Sequence, residues 1–169
     1  CGRLALTVAI AGGMINEAGD GLDELIVTSL REEGLQNQDD EGNEGMTVED
    51  RVIRSSLNMI QKGGKKKNSE MTLSIFNLFA AFPEDIAVPF DIFTALSKLI
   101  TGGEKGSTKA MVQLRSSITV LLNYNLLKGS TSEGSGVFMH DIVRDYTIAQ
   151  LDEDGLRELQ LQVTQALLD

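Results

Sequence analysis

A mainly α protein is predicted by three features of these 169 residues. Apolar positions recur at three- and four-residue spacing along most of the chain, turn residues separate those runs, and only two short runs read as extended. Apolar residues make up 41% and aromatic residues only 5%, with no Trp, so Leu, Ile, Val and Ala must supply most of the core. The length suits one ordinary domain or two small ones. No stretch reaches the roughly 18 uninterrupted apolar residues that suggest a membrane span. One cysteine, Cys1, excludes an internal disulfide framework and fits a reducing, cytoplasmic setting. A formal charge of -10 argues against a nucleic-acid partner, because neutralising phosphates needs clustered Lys and Arg. The apolar start has neither an initiator Met nor a basic leader, and reads as a cut inside a longer chain.

The first helix is expected over 4–18, apolar nearly all round (Leu4, Leu6, Val8, Ala9, Ile10, Met14), as in a helix buried within a larger body. A second, over 22–33, carries Leu22, Leu25, Ile26 and Leu30 on one stripe and stops at Gly34. The acidic, Gly-containing run of 35–45 reads as a surface loop. Thr47 is placed to cap the next helix by accepting from backbone N–H groups near Asp50. Val48, Val52, Ile53, Leu57 and Ile60 mark that helix's inner face, and "GGKKKN" (63–68) reads as a basic turn closing the segment.

Residues 70–82 make a strongly apolar helix that Pro83 ends. A crossing leads to a helix over 90–100, and the Gly-rich turn of 101–108 leads to a long helix ending near Asn123. Its inward residues are expected to be Val112, Leu114, Ile118, Leu121 and Leu122. "NLLKG" and "GVFMH" are short extended runs flanking "STSEGS", hence a hairpin, and helices over 141–151 and 154–168 follow. Three helices with a hairpin behind the third match a winged-helix module. The expected organisation is therefore a helical subdomain (1–62), a linker (63–69), a winged-helix subdomain (70–150) and a closing helix (151–169).

The only histidine, His140, stands with Asp141 where the second extended run turns into a helix. A helix starting there points its first N–H groups and positive dipole end back toward the hairpin, which suits a carboxylate or phosphate. Asp141 is placed to accept from residues 143 and 144, capping the helix and aiming His140, whose ring offers a donor for a phosphate oxygen. A plain turn and a plain cap fit the same residues. No G-x-x-x-x-G-K-[ST] loop occurs, and "TGGEKGST" lacks both that order and a preceding strand. No acid–base pair, activated nucleophile or metal-ligand spacing is visible, so no enzyme is expected in this chain on its own.

"FAAFPEDIAVPFDIFTAL" (79–96), the triplet Met139, His140, Asp141 after the hairpin, and the start "CGRLAL" occur in the order found in NB-ARC proteins. These are signalling ATPases that include plant immune receptors and the apoptotic protease-activating factor, and the resemblance covers nearly the whole chain. "CGRLAL" resembles the family's C-x-G-L-P-L motif, with Arg3 and Ala5 standing where the family prefers Gly and Pro. The resemblance implies that His140, placed by Met139 and Asp141, touches the β-phosphate of ADP and latches the winged helix onto an upstream nucleotide-binding domain. It implies that Leu4, Ala5 and Leu6 flank the adenine of the ADP or ATP. It further implies a homo-oligomer in the ATP state, and a repeat sensor after the last helix. The alternative is a winged-helix module that binds DNA or a protein without nucleotide. Against DNA, residues 70–150 carry six Lys/Arg and eight Asp/Glu, and the hairpin tip has no base.

Overall fold

The computed structural model describes residues 2–18, 46–63, 66–84, 86–101 and 108–168. The helix expected over 22–33, the acidic loop of 35–45, the core of the Gly-rich turn (102–107) and Cys1 lie outside these. Among the described residues there are eight α-helices, a 3₁₀ turn and one small antiparallel sheet. The helices are α1 (Gly2–Ala18), α2 (Val48–Gly63), α3 (Lys66–Leu78), α4 (Phe90–Ala95), α5 (Ser97–Thr101), α6 (Thr108–Asn123), α7 (Asp141–Gln150) and α8 (Glu153–Leu168). The 3₁₀ turn is Phe79–Ala81, and the strands are β1 (Val88–Pro89), β2 (Lys128–Gly129) and β3 (Gly136–Phe138).

The start of α2 follows the local chemistry of its sequence. The Thr47 hydroxyl accepts from the Asp50 N–H at 3.2 Å while Asp50 Oδ2 accepts from the Thr47 N–H at 3.0 Å, a reciprocal capping box. Thr47→Ala is expected to cost about 1 kcal/mol, the usual worth of an N-cap, read as a lower midpoint of urea unfolding. Val52, Ile53 and Ile60 are buried as their spacing predicts, whereas Val48, in the first turn, is exposed.

Of the expected basic linker, Gly63 and residues 66–69 are helical. α2 runs to Gly63 and α3 already begins at Lys66, because Ser69, Met71 and Thr72 are drawn into the interior and Lys and Asn extend a helix at little cost. At its other end α3 gives way at Leu78 to the 3₁₀ turn, since Phe82 precedes a proline and is extended (φ -92°, ψ 151°). The single helix expected over 90–100 is two, α4 and α5, joined at Leu96 (φ -82°, ψ 1°).

α6 has the predicted bounds, with a different inner face. Ala110, Leu114, Ser117, Ile118 and Leu121 are buried, while Val112 is 65% exposed. Two residues of helix turn Val112 roughly 200° from Leu114, so an apolar type at that position does not make it core. The helix ends in a Schellman arrangement: Leu126 N–H bonds Leu121 C=O, Asn125 N–H bonds Leu122 C=O, and Asn125 takes φ 55°. The Asn125 amide also donates to the Ala9 carbonyl at 2.9 Å, so the end of α6 is pinned against the middle of α1.

The hairpin is present, and β1 adds a strand that its two residues did not announce. The sheet order is β1-β3-β2, with Val88 opposite Val137 and Lys128 opposite Phe138. One buried cluster runs from Leu6, Ile10 and Met14 in α1 through Ile53, Phe79, Phe93 and Ile118 to Val143 and Val163. It draws on residues before and after the expected linker alike.

Candidate functional site

α7 begins where β3 ends, with His140 as its N-cap residue in extended backbone (φ -65°, ψ 145°). The carbonyl of His140 accepts from the Arg144 N–H at 2.9 Å, closing the first helical turn. The expected cap is displaced by one residue. Asp141 lies inside the helix, at its first position, and its Oδ1 accepts from the N–H of Ile142 at 2.7 Å rather than from residues 143 and 144. A carboxylate one residue beyond the N-cap must fold back to find a donor, and this places it beside the histidine ring. His140 Nδ1, shielded from solvent and without an aligned hydrogen bond, rests against Asp141 Oδ1. With the two side chains 37% and 51% exposed, the edge left to a ligand is that of His140 Nε2.

The supports beneath this corner are firm. Arg144 Nε donates to the Phe82 carbonyl at 2.7 Å, and its Nη2 to the Ala80 carbonyl at 3.4 Å. One guanidinium thereby ties α7 to the 3₁₀ turn and satisfies carbonyls that the turn leaves without helical partners. Met139, only 3% exposed, points inward, and its sulfur takes the Thr147 hydroxyl at 3.7 Å. It anchors the turn before His140 and offers no side-chain surface to a ligand. Tyr146 packs between α7 and α2; burial pushes its phenol up, the Arg54 guanidinium draws it back, and Asp50 adds to the rise.

The other expected site residues stand elsewhere. Leu4, Ala5 and Leu6 lie in α1, where Leu6 is buried in the core and Ala5 is exposed; the side chain of Leu4 is outside the described residues. α1 packs on α2 and α6, and α7 packs on α2 and the 3₁₀ turn, so α2 is the element the two groups share. His140 and Asp141 form one corner at the start of α7, and residues 4–6 stand in α1, on the other helix that packs against α2.

Two cavities lie apart from both. A groove of about 400 Å³ runs between α3, α5 and α8, lined by Leu78, Leu99, Ile100 and Leu159 among others. A second, of about 260 Å³, is bounded by the ends of α1 and α2, the start of α3 and the flank of α6. Its hydroxyl-rich wall was not anticipated: Glu17 stands in α1, Ser69 in α3, and Ser117 in α6 with Tyr124 just beyond its end, so no single run of sequence holds them. Among the described residues no group of His, Cys, Asp and Glu could hold a metal ion, and no helix is long and apolar enough to cross a membrane. On α6, Arg115 lies over the Phe90 ring, 4.6 Å from its centroid, so this base is engaged within the chain. No family model, curated protein or solved structure matches the chain.

Proposed function

We propose that this chain is the regulatory latch of a nucleotide-dependent signalling switch of the NB-ARC kind, sensing ADP that an upstream domain of the same protein holds. The observation that carries the reading is the corner at the start of α7. A half-exposed imidazole is the N-cap residue of a ten-residue helix, its Nδ1 side set against a carboxylate and its Nε2 edge free to meet a phosphate oxygen. Such a helix start attracts anions through its dipole and first N–H groups. The donor set fits one edge of a terminal phosphate. It does not build a nucleotide pocket, and neither cavity described above includes His140.

The element order supports a winged helix as the body of the latch. A helix (α3), a strand (β1), two helical segments (α4–α5 and α6) and a hairpin (β2–β3) follow one another, with β3 central in the sheet. In this reading the ADP state holds the winged helix against the nucleotide domain through His140. Exchange for ATP releases it and frees a surface for homo-oligomerisation. The hydrolytic machinery lies in the nucleotide domain, and α8 leads toward a sensor. A hydrogen bond to a charged group nets about 1.5–3 kcal/mol, which moves a two-state equilibrium roughly tenfold to a hundredfold. That suffices for a switch and is far too little to hold nucleotide alone.

The test is release of labelled ADP from the full-length protein. Asp141→Val removes both the Ile142 contact and the carboxylate beside His140, and is expected to speed release about tenfold or more. Unchanged release would sink this account of the corner. The reading also requires a strand followed by a phosphate-loop motif upstream of Cys1, within roughly the 200 residues of one further domain. A coding sequence without one would leave His140 and Asp141 as an ordinary helix start.

A further inference from the structure

His140 stands where the hairpin hands the chain to α7, so its place depends on the hairpin as much as on the helix. The helix side is held by the Arg144 guanidinium on the carbonyls of Ala80 and Phe82. The hairpin side depends on β2. Lys128 lies opposite Phe138 in the β2–β3 ladder, two residues before His140. Strands that share ladder bonds move together, so a slide of β2 carries the end of β3 and the imidazole with it.

Lys128 is itself tied. Its half-buried ammonium donates to Asn125 Oδ1 at 2.9 Å, and Asn125 Nδ2 donates to the Ala9 carbonyl at 2.9 Å. One side chain thereby joins the hairpin to α1. Because α1 packs on α2 and α2 packs on α7, these ties close a circuit that runs α1, Asn125, β2, β3, α7, α2 and back to α1. Cutting it at Asn125 frees the hairpin side of His140 and leaves the Arg144 side whole.

We infer that Asn125 is a positioning residue for the phosphate contact of His140, which rests on the latch reading above. Asparagine meets three demands at once. Its backbone takes φ 55°, a conformation that Asn and Gly adopt more readily than other residues. Its carbonyl accepts from the Lys128 ammonium, and its NH₂ donates to a main-chain carbonyl. Aspartate could accept but not donate; glycine could make the turn but neither bond. The bond from Lys128 is charge-assisted and therefore the stronger of the two. Precision matters at the far end of this chain of contacts, because a hydrogen bond to a phosphate oxygen weakens steeply as its angle bends.

The experiment is release of labelled ADP from the full-length protein, joined to amide NMR of the isotope-labelled chain. Asn125→Gly keeps the left-handed turn and deletes both bonds. It is expected to speed release about tenfold, the worth of one hydrogen bond to a charged group. Added to Asp141→Val, it should speed release little further, because both act through His140. Lys128→Met, which leaves Asn125 and its turn intact, should speed release less than Asn125→Gly does. In the labelled chain, Asn125→Gly should move the amide resonances of His140 and Asp141, fifteen residues and more along the sequence. The inference is overturned if Asn125→Gly releases ADP at the wild-type rate while Asp141→Val is fast. It is also overturned if the two effects multiply, as independent losses of stability would. The latch reading fails separately, if Asp141→Val releases ADP at the wild-type rate. Moved His140 and Asp141 resonances in Asn125→Gly would then still uphold the placement, and unmoved ones would overturn it as well.

Discussion

Phe79→Ala is expected to remove about 3–5 kcal/mol of stability, seen as a large fall in the urea midpoint with an unchanged slope. Phe79 is almost wholly buried in the 3₁₀ turn, where the chain leaves α3 for the sheet. Its ring lies 5.4 Å from that of Phe93 and meets Phe82 edge-on at 6.0 Å, so one truncation opens a hole beside two remaining aromatic rings. The surroundings have little freedom to collapse into that hole, because α7 and α8 both pack on this turn. The Arg144 guanidinium grips the carbonyls of Ala80, within the turn, and of Phe82, just after it. Loss of Phe79 should therefore also loosen α7 and the His140 corner. Phe82→Ala removes a ring that is only partly buried and should cost clearly less. A loss below about 1 kcal/mol for Phe79→Ala would mean that the turn is not part of the cooperative core.

What the sequence made legible is what local chemistry decides. The Thr47–Asp50 capping box involves residues three apart, and it formed as read. α6 has its expected bounds because "TKAMVQLRSSITVLLN" is helical by period and is followed by an Asn able to take the left-handed turn. Features that depend on a distant partner were out of reach. β1 is two residues long and exists only by pairing with Gly136 and Val137, about fifty positions away; nothing in "VP" alone announces a strand. Val112 misled because apolar type was taken for burial, and only the crossing with α3 decides which face of α6 is inside.

The candidate corner was legible to within one residue. That a helix starts behind His140 follows from the change of pattern after "GVFMH", but which residue becomes the N-cap depends on how far β3 extends, and the sheet sets that. The one-residue offset matters chemically. It converts Asp141 from a cap for the N–H groups of residues 143 and 144 into a partner for the His140 ring and for Ile142. Met139 belongs to the motif in sequence and to the core in space, since alternation along an extended segment sends neighbouring side chains to opposite faces. The cavity at Ser117 and Tyr124 had no sequence signal at all, because four helices meet to make it.

Gly12 and Gly13 show how much such crossings decide, and the same substitution at the two positions should give opposite results. Both lie inside α1, where valine is a better helix former than glycine by a few tenths of a kcal/mol. At Gly12, which is exposed, a Cβ would meet nothing within 4 Å, so Gly12→Val should be neutral or slightly stabilising. At Gly13 a Cβ would stand 2.5 Å from the Asn123 carbonyl oxygen and 2.9 Å from the Tyr124 backbone. Those atoms are main chain at the end of α6, held by the turn at Asn125 and by its bond to Ala9, and they cannot step aside as a flexible side chain would. Gly13→Val must therefore push α1 off α6, at a cost of about 3 kcal/mol or more. The displacement would also part Glu17 from Asn123. Equal midpoints for the two variants would show that α1 does not seat on α6 at Gly13, and the placement of Glu17 on the cavity wall would fall with it.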